Sequence, residues 1–128
     1  MKLLLDTQIA LWALIGSSRL SEKARELILL PKATVYYSAA TVWEIAIKHR
    51  LARVDMPVSG KEAAGLFVEA GYEELAVTAA HAAATEDLPL HHSDPFDRLL
   101  VAQAHYEPVR LLTHDRQLLA YGGPVEFV

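Results

Sequence analysis

Three apolar runs in this chain each stop at a polar residue and then give way to residues at helical spacing, and this pattern constrains the fold more than any other feature. Leu3-Leu4-Leu5 ends at Asp6-Thr7 and is followed by Ile9, Leu11, Trp12 and Ile15 before Gly16. Thr34-Val35-Tyr36-Tyr37-Ser38, rich in β-branched and aromatic residues, is followed by Val42, Ile45, Ala46 and His49. Val109 to Thr113 ends at His114-Asp115 and leads into the short amphipathic stretch Gln117 to Tyr121. Each β-type run followed by a 3.6-residue period reads as strand, turn, helix. Strands that alternate with helices form parallel sheets covered on both faces, so the expected fold is α/β with a central, mostly parallel sheet of four to five strands.

Between these units, Ser59 stands three residues before Glu62, a capping-box signature for a helix from Lys61 to about Ala70. Leu75-Ala76-Val77 reads as a short strand, and Thr78 as the cap of an Ala-rich helix from Ala79 to Thr85. Pro89 to Ser93 reads as a loop. Ser93-Asp94-Pro95 opens a further helix, because Pro suits the first helical position. Gly122-Gly123-Pro124 breaks the chain before a terminal strand, Val125 to Val128.

With 128 residues and 52% apolar content the chain fits one globular domain, 1–128. A chain of this size removes about two-thirds of its surface from water on folding, enough for a core without disulfides or a structural metal. It has no cysteine, which excludes thiol catalysis and thiolate zinc sites and fits a reducing, cytoplasmic setting. Its longest apolar run, Ile9 to Ile15, falls far short of the ~20 residues a membrane span needs, so neither a membrane nor a signal-peptide reading is expected. Sixteen acids against twelve Lys and Arg give a net charge of -4, which argues against a broadly basic, nucleic-acid-coating surface.

The acids sit where the topology concentrates ligands. Asp6 and Asp115 close strands, Glu44 lies in the helix after the second strand, and Asp94 and Asp97 open a later helix. All map to the carboxyl edge of the sheet, where open α/β folds bind ligands. Converging carboxylates repel one another, and hard oxygen ligands suit Mg²⁺ or Mn²⁺. Each acid also has a structural reading. Thr41-x-x-Glu44 has the form of a capping box, while Asp94 fits an N-cap with Asp97 in the first turn, near the helix dipole. Asp6 has no evident capping duty and follows three leucines, and Glu44 lies between Trp43 and Ile45. Both acids are placed beside residues expected to be buried, where a carboxylate needs a partner.

Lys48, Arg50 and Arg53 follow Glu44, and Arg98 and Arg116 adjoin two other acids. These bases read either as a grip on a phosphate backbone or as a solvated helix end and local carboxylate partners. His91 and His92 precede Asp94, but adjacent loop residues rarely point the same way, so a His-carboxylate metal site is disfavoured. His81 reads as a helix-surface or core residue, and Trp12, Trp43, Phe67 and Phe96 as core.

Leu3-Leu4-Leu5-Asp6-Thr7, Ser38 to Ile45, Asp94 to Ala104 and Leu112-Thr113-His114-Asp115 together resemble the motifs of PIN-domain ribonucleases, and most closely VapC-type toxins of bacterial toxin–antitoxin pairs. Order, spacing and length agree over nearly the whole chain. The resemblance implies a single PIN-like nuclease domain of three α/β/α layers that cuts RNA with Mg²⁺ or Mn²⁺. By position the metal-holding, catalytic acids become Asp6, Glu44, Asp97 and Asp115, with Thr113 and Asp94 as further candidates. Water activated by the metal would leave a 5′-phosphate and a 3′-hydroxyl. The implied partners are RNA, a small antitoxin whose tail blocks the acidic pocket, and a second copy of the chain.

Three rivals remain. A receiver-like signalling module would carry a second acid after the first strand and a Lys ending a late one, and Val109 to Asp115 has no Lys. An aspartyl phosphatase would have a second Asp where Gln8 stands. A PIN-like module that binds without cutting fits the motifs, although all four acids are present.

Overall fold

Three consecutive leucines that face both sides of a sheet need cover on both sides, and the fold supplies it. The computed structural model describes residues 1–52, 54 and 56–128. Strand β1 (Lys2–Leu5) lies at the centre of a five-stranded sheet, between β2 (Thr34–Ser38) and β4 (Arg110–Thr113). Strands β3 (Glu73–Leu75) and β5 (Val125–Phe127) form its edges, in the order β3-β2-β1-β4-β5, and every pairing is parallel. Helices α1 (Thr7–Ile15), α2 (Glu22–Ile28), α3 (Ala39–Arg50), α4 (Gly60–Glu69), α5 (Ala79–Ala84) and α6 (Pro95–Tyr106) connect the strands, with 3-10 turns at Thr85–Asp87 and Arg116–Tyr121.

Alternation along β1 divides the core. Leu3 and Leu5 pack with Ile9, Ala24, Ile45 and Phe67 from α1, α2, α3 and α4. Leu4 points the other way, to Leu100, Val101 and Ala104 of α6 and to Leu118. All three leucines are completely buried, and each contributes ~1.5–3 kcal/mol relative to an exposed side chain. This is the expected three-layer α/β/α arrangement.

Two glycines place the helices that carry the site. Gly16 ends α1 in the left-handed conformation (φ 63°) and donates its N–H to the carbonyl of Trp12. At Gly60, a Cβ would lie 2.8 Å from the Cβ of Ala46, so the absence of a side chain lets α4 pack directly on α3. The Ser59–Glu62 capping box and the Thr78 cap form as expected.

Three local expectations are corrected, and one helix appears that the sequence did not announce. Strand β3 ends at Leu75 instead of beginning there, because it pairs with β2 through Glu73 and Glu74 on a solvent-exposed edge where apolar content is not required. Thr41 and Glu44 do not form a capping box: α3 starts at Ala39, capped by Ser38, which leaves both residues inside the helix. Helix α2, capped by Ser21, carries too much charge to show a clear apolar period. Phe67 is core, but Trp43 is 61% exposed and meets Phe96 edge to face at 5.2 Å.

Candidate active site

Asp6 leaves β1 with its backbone N–H still bonded to Leu112 of β4 at 3.0 Å. Its carboxylate caps α1, with Oδ1 accepting the Ile9 N–H at 2.8 Å and Oδ2 accepting the Thr113 hydroxyl. The capping duty corrects the sequence reading, which saw none: helix α1 begins one residue after the strand, so a single Asp both ends one element and caps the next. Burial pushes the Asp6 carboxyl up to about 6 despite these two hydrogen bonds, and the charges of Asp115 and Glu44 add to the rise.

Glu44 is also buried, one turn into α3 beyond Thr41. Thr7 donates its hydroxyl to Oε1 at 2.7 Å and lies 3.2 Å from the Thr41 hydroxyl. Lys48, one turn further along α3, holds Oε2 at 2.9 Å. A buried carboxylate with a hydroxyl on one oxygen and an ammonium on the other is satisfied without leaving the cavity.

On the opposite side, Asp94 is the N-cap of α6, and its Oδ1 accepts the N–H groups of Phe96 (2.8 Å) and Asp97 (3.2 Å). Asp97, in the first turn, faces the other acids. Burial pushes its carboxyl up to about 7, with Asp94, Asp6 and Glu44 adding to the rise and His92 opposing it. Asp115 caps the 3-10 turn after β4 through Gln117 at 2.9 Å and donates its own N–H to the Thr113 hydroxyl at 3.0 Å.

These acids line one cavity of about 460 Å³, together with Trp12, Lys48, His114 and Arg116. Thr113 joins Asp6 and Asp115, its hydroxyl donating to one carboxylate and accepting the backbone N–H of the other residue, so it orients the acids. The donor set is carboxylate oxygen, which fits a hard divalent cation. Two carboxyls raised by burial and mutual repulsion are what such a cation would relieve.

The basic residues separate into different roles. Lys48 is paired with Glu44, Arg50 is exposed at the end of α3, and Arg53 lies outside the described residues. Arg116 borders the cavity and stacks its guanidinium 4.3 Å from the Phe127 ring centre instead of pairing with a carboxylate. Among the described residues, Arg98 neither pairs with an acid nor lines the cavity. It donates to the carbonyls of Thr85 (2.9 Å) and Pro89 (3.0 Å) and to the Tyr121 hydroxyl (3.0 Å), pinning the loop that leads into α6.

Sequence reasoning weighed His92 with His91 and set both aside. Adjacent histidines do point apart: His91 packs on Tyr121 at 5.1 Å, but His92 turns in, with Nε2 3.0 Å from Asp115 and 3.5 Å from Asp97. The available signal was a histidine two residues before a helix-capping Asp, a position from which the ring reaches back over the first turn. His81 is a core residue, buried against Glu107 at 2.6 Å.

The PIN domain family model matches residues 3–124. Curated protein sequences give no match. Among solved structures, the chain is similar to one in the VapBC2 complex of Rickettsia felis bound to a promoter DNA fragment, with TM-score 0.74 and 16% identity over 100% of this chain and 99% of that one. A chain of VapBC-1 from nontypeable Haemophilus influenzae gives TM-score 0.64 at 16% identity, covering 100% and 97%. One of FitAcB from Neisseria gonorrhoeae gives 0.61 at 21%, covering 96% and 95%. With its motifs in order, its acids at one sheet edge and its length matched almost end to end, the chain belongs to the PIN domain family and has the fold found in VapBC and FitAcB structures.

Proposed function

We propose that this protein is a metal-dependent endoribonuclease and the toxin of a toxin–antitoxin pair, acting in the cytoplasm. The observation that carries the reading is the convergence of Asp6, Glu44, Asp97 and Asp115, from four separate parts of the chain, around one open cavity. Asp6 and Asp97 are the direct ligands of Mg²⁺ or Mn²⁺, with Asp115 completing the carboxylate wall and Asp94 kept for the helix cap. When bound, the cation supplies Lewis-acid polarisation of the phosphate and a lowered pKa for water.

The chain's own residues orient the reaction. Glu44 has one lone pair left on each oxygen after Thr7 and Lys48 are served, so it aligns the attacking water and takes its proton. Attack by water, not by the ribose hydroxyl, leaves a 5′-phosphate and a 3′-hydroxyl. Lys48 and Arg116 border the acids and meet the RNA backbone there, with Arg50, exposed at the end of α3, as a further contact. The similar chains come from VapBC and FitAcB structures, which supports a small antitoxin as partner; its tail covers the acidic cavity, and the working unit is a homodimer. No helix among the described residues is long and apolar enough to cross a membrane.

The test is cleavage of single-stranded and hairpin-loop RNA by purified protein, with the product ends identified. Loops are the expected substrate, since a paired stem cannot thread a narrow pocket. Cleavage should require Mg²⁺ or Mn²⁺ and stop in EDTA. Undiminished cleavage in EDTA overturns the metal mechanism, and RNA that is bound but left intact across a broad transcript pool in Mg²⁺ overturns the nuclease in favour of a binding module.

A further inference from the structure

His92 is the one imidazole that reaches the carboxylates of Asp97 and Asp115, and the three groups offer ligand atoms within 4.8 Å of one another. By spacing alone this is a His-carboxylate metal site. The hydrogen positions oppose that reading. The backbone N–H of Asp94 donates to Nδ1 of His92 at 3.0 Å, which commits the lone pair on that nitrogen. A neutral imidazole has a lone pair on only one nitrogen, so Nε2 carries the hydrogen and donates it to Asp115 at 3.0 Å, with Asp97 at 3.5 Å. Binding a cation through Nε2 would shift the hydrogen to Nδ1 and set it against the N–H of Asp94.

The backbone that carries the ring is also fixed. The His92 backbone N–H donates to the Tyr121 hydroxyl at 3.2 Å, and the same hydroxyl accepts from Arg98. A ring whose single hydrogen bonds Asp115 and stands 3.5 Å from Asp97 acts as an outer hydrogen-bond partner does for a metal-binding carboxylate: it sets the orientation of Asp115, limits where Asp97 can turn, and leaves their remaining lone pairs to the cation.

Resting on the metal-dependent reading above, we propose that His92 is a positioning residue that orients Asp97 and Asp115 for an all-oxygen cation site, and that it does not bind the cation. Such a site favours Mg²⁺ and Mn²⁺ over Zn²⁺, which an available imidazole would attract.

The experiment is Mn²⁺ binding to purified protein, followed by the loss of the free-ion EPR signal, with pulsed EPR of the bound ion. Wild type should bind Mn²⁺ and show no directly bonded ¹⁴N. His92→Ala and His92→Leu, which lack the donor, should bind ~10- to 100-fold more weakly. His92→Gln, whose amide N–H reaches the place of Nε2–H, should stay within a few-fold of wild type. A directly bonded nitrogen in wild type overturns the proposal, as does unchanged or tighter binding in either donor-free variant that folds. If neither folds, a His92→Gln protein that folds but loses binding as fully as a missing ligand would also overturn it. A wild type that binds no Mn²⁺ at millimolar concentration removes the metal-dependent reading as well, which separates the two failures.

Discussion

The Thr113 hydroxyl donates to Oδ2 of Asp6, 107 residues away in sequence, and accepts the backbone N–H of Asp115 at 3.0 Å, so one fully buried hydroxyl couples two of the four acids. Thr113→Val keeps the shape and removes both bonds. It leaves the Asp6 carboxylate short of a donor and the Asp115 N–H short of an acceptor, a cost of ~1–3 kcal/mol. Urea denaturation at pH 8 should show that loss, and Thr113→Ser should restore most of it. A valine variant as stable as wild type would mean that water replaces the hydroxyl.

Asp6→Asn separates the capping role of this residue from its charge. Asn still accepts the Ile9 N–H, so α1 keeps its cap. Neutralising a carboxyl that burial pushes up to about 6 removes a cost present at pH 8. The metal-free variant should therefore melt a few degrees above wild type, even after losing part of the Thr113 interaction, while cleavage disappears. Its Tm should respond to Mg²⁺ much less than that of wild type. An equal response would place Asp6 outside the cation site.

Asp97→Asn should abolish cleavage, whereas Asp94→Asn should leave much of it. Asp94 holds two N–H groups at the start of α6, a task Asn performs nearly as well. Rates at matched Mg²⁺ decide the matter, and equal losses would bring Asp94 into the cation site.

Stability should fall as pH rises in the metal-free protein. The Asp6 and Asp97 carboxyls, at about 6 and about 7, bind protons more tightly folded than unfolded, where the ordinary value is 3.8. Their favourable contribution is complete below about pH 4 and is lost as pH passes through 6 to 7. At constant ionic strength, Tm should drop by several degrees between pH 5.5 and 8. Asp97→Asn should flatten the profile, and saturating Mg²⁺ should oppose the drop, because the cation binds the ionised acids. A wild-type Tm that climbs over this range without metal would show that the two carboxyls are not raised.

Arg98→Ala should cost about 2–3 kcal/mol, since the guanidinium bonds the carbonyls of Thr85 and Pro89 and the Tyr121 hydroxyl. Arg98→Lys should recover little, because one ammonium cannot span that spread of acceptors. Affinity of the folded variant for RNA should stay near that of wild type. A selective loss of RNA affinity with unchanged stability would return Arg98 to the phosphate-binding group.

The central strands β1, β2 and β4 were legible because each is an apolar run that stops at a polar residue, and the acidic edge because acids follow those stops or lie in the helices behind them. Asp6 and Asp115 follow from the strand stops, Glu44 from its place in the helix after the second strand, and Asp97 from the first turn of α6. What stayed hidden depends on distances that no local window contains. The double duty of Asp6 requires knowing that α1 begins immediately after β1. Arg98 stands next to Asp97 in sequence, yet its side chain runs away from the acids to loop carbonyls. Edge strand β3 tolerates Glu73 and Glu74 because its outer side meets water, so the apolar run Leu75-Ala76-Val77 marks its end and not its centre. His92 was hidden by the backbone N–H of Asp94, which turns its ring inward.

The sheet order also fixes when the acidic cluster can assemble. Strand β1 pairs on one side with β2 and on the other with β4, which arrives more than a hundred residues later. Until β4 docks, Asp6 lacks Thr113, Asp115 has no fixed position, and the carboxylates cannot converge. A nascent chain, or one truncated before residue 110, therefore has no assembled cluster of acids, whatever the state of β1 and α3.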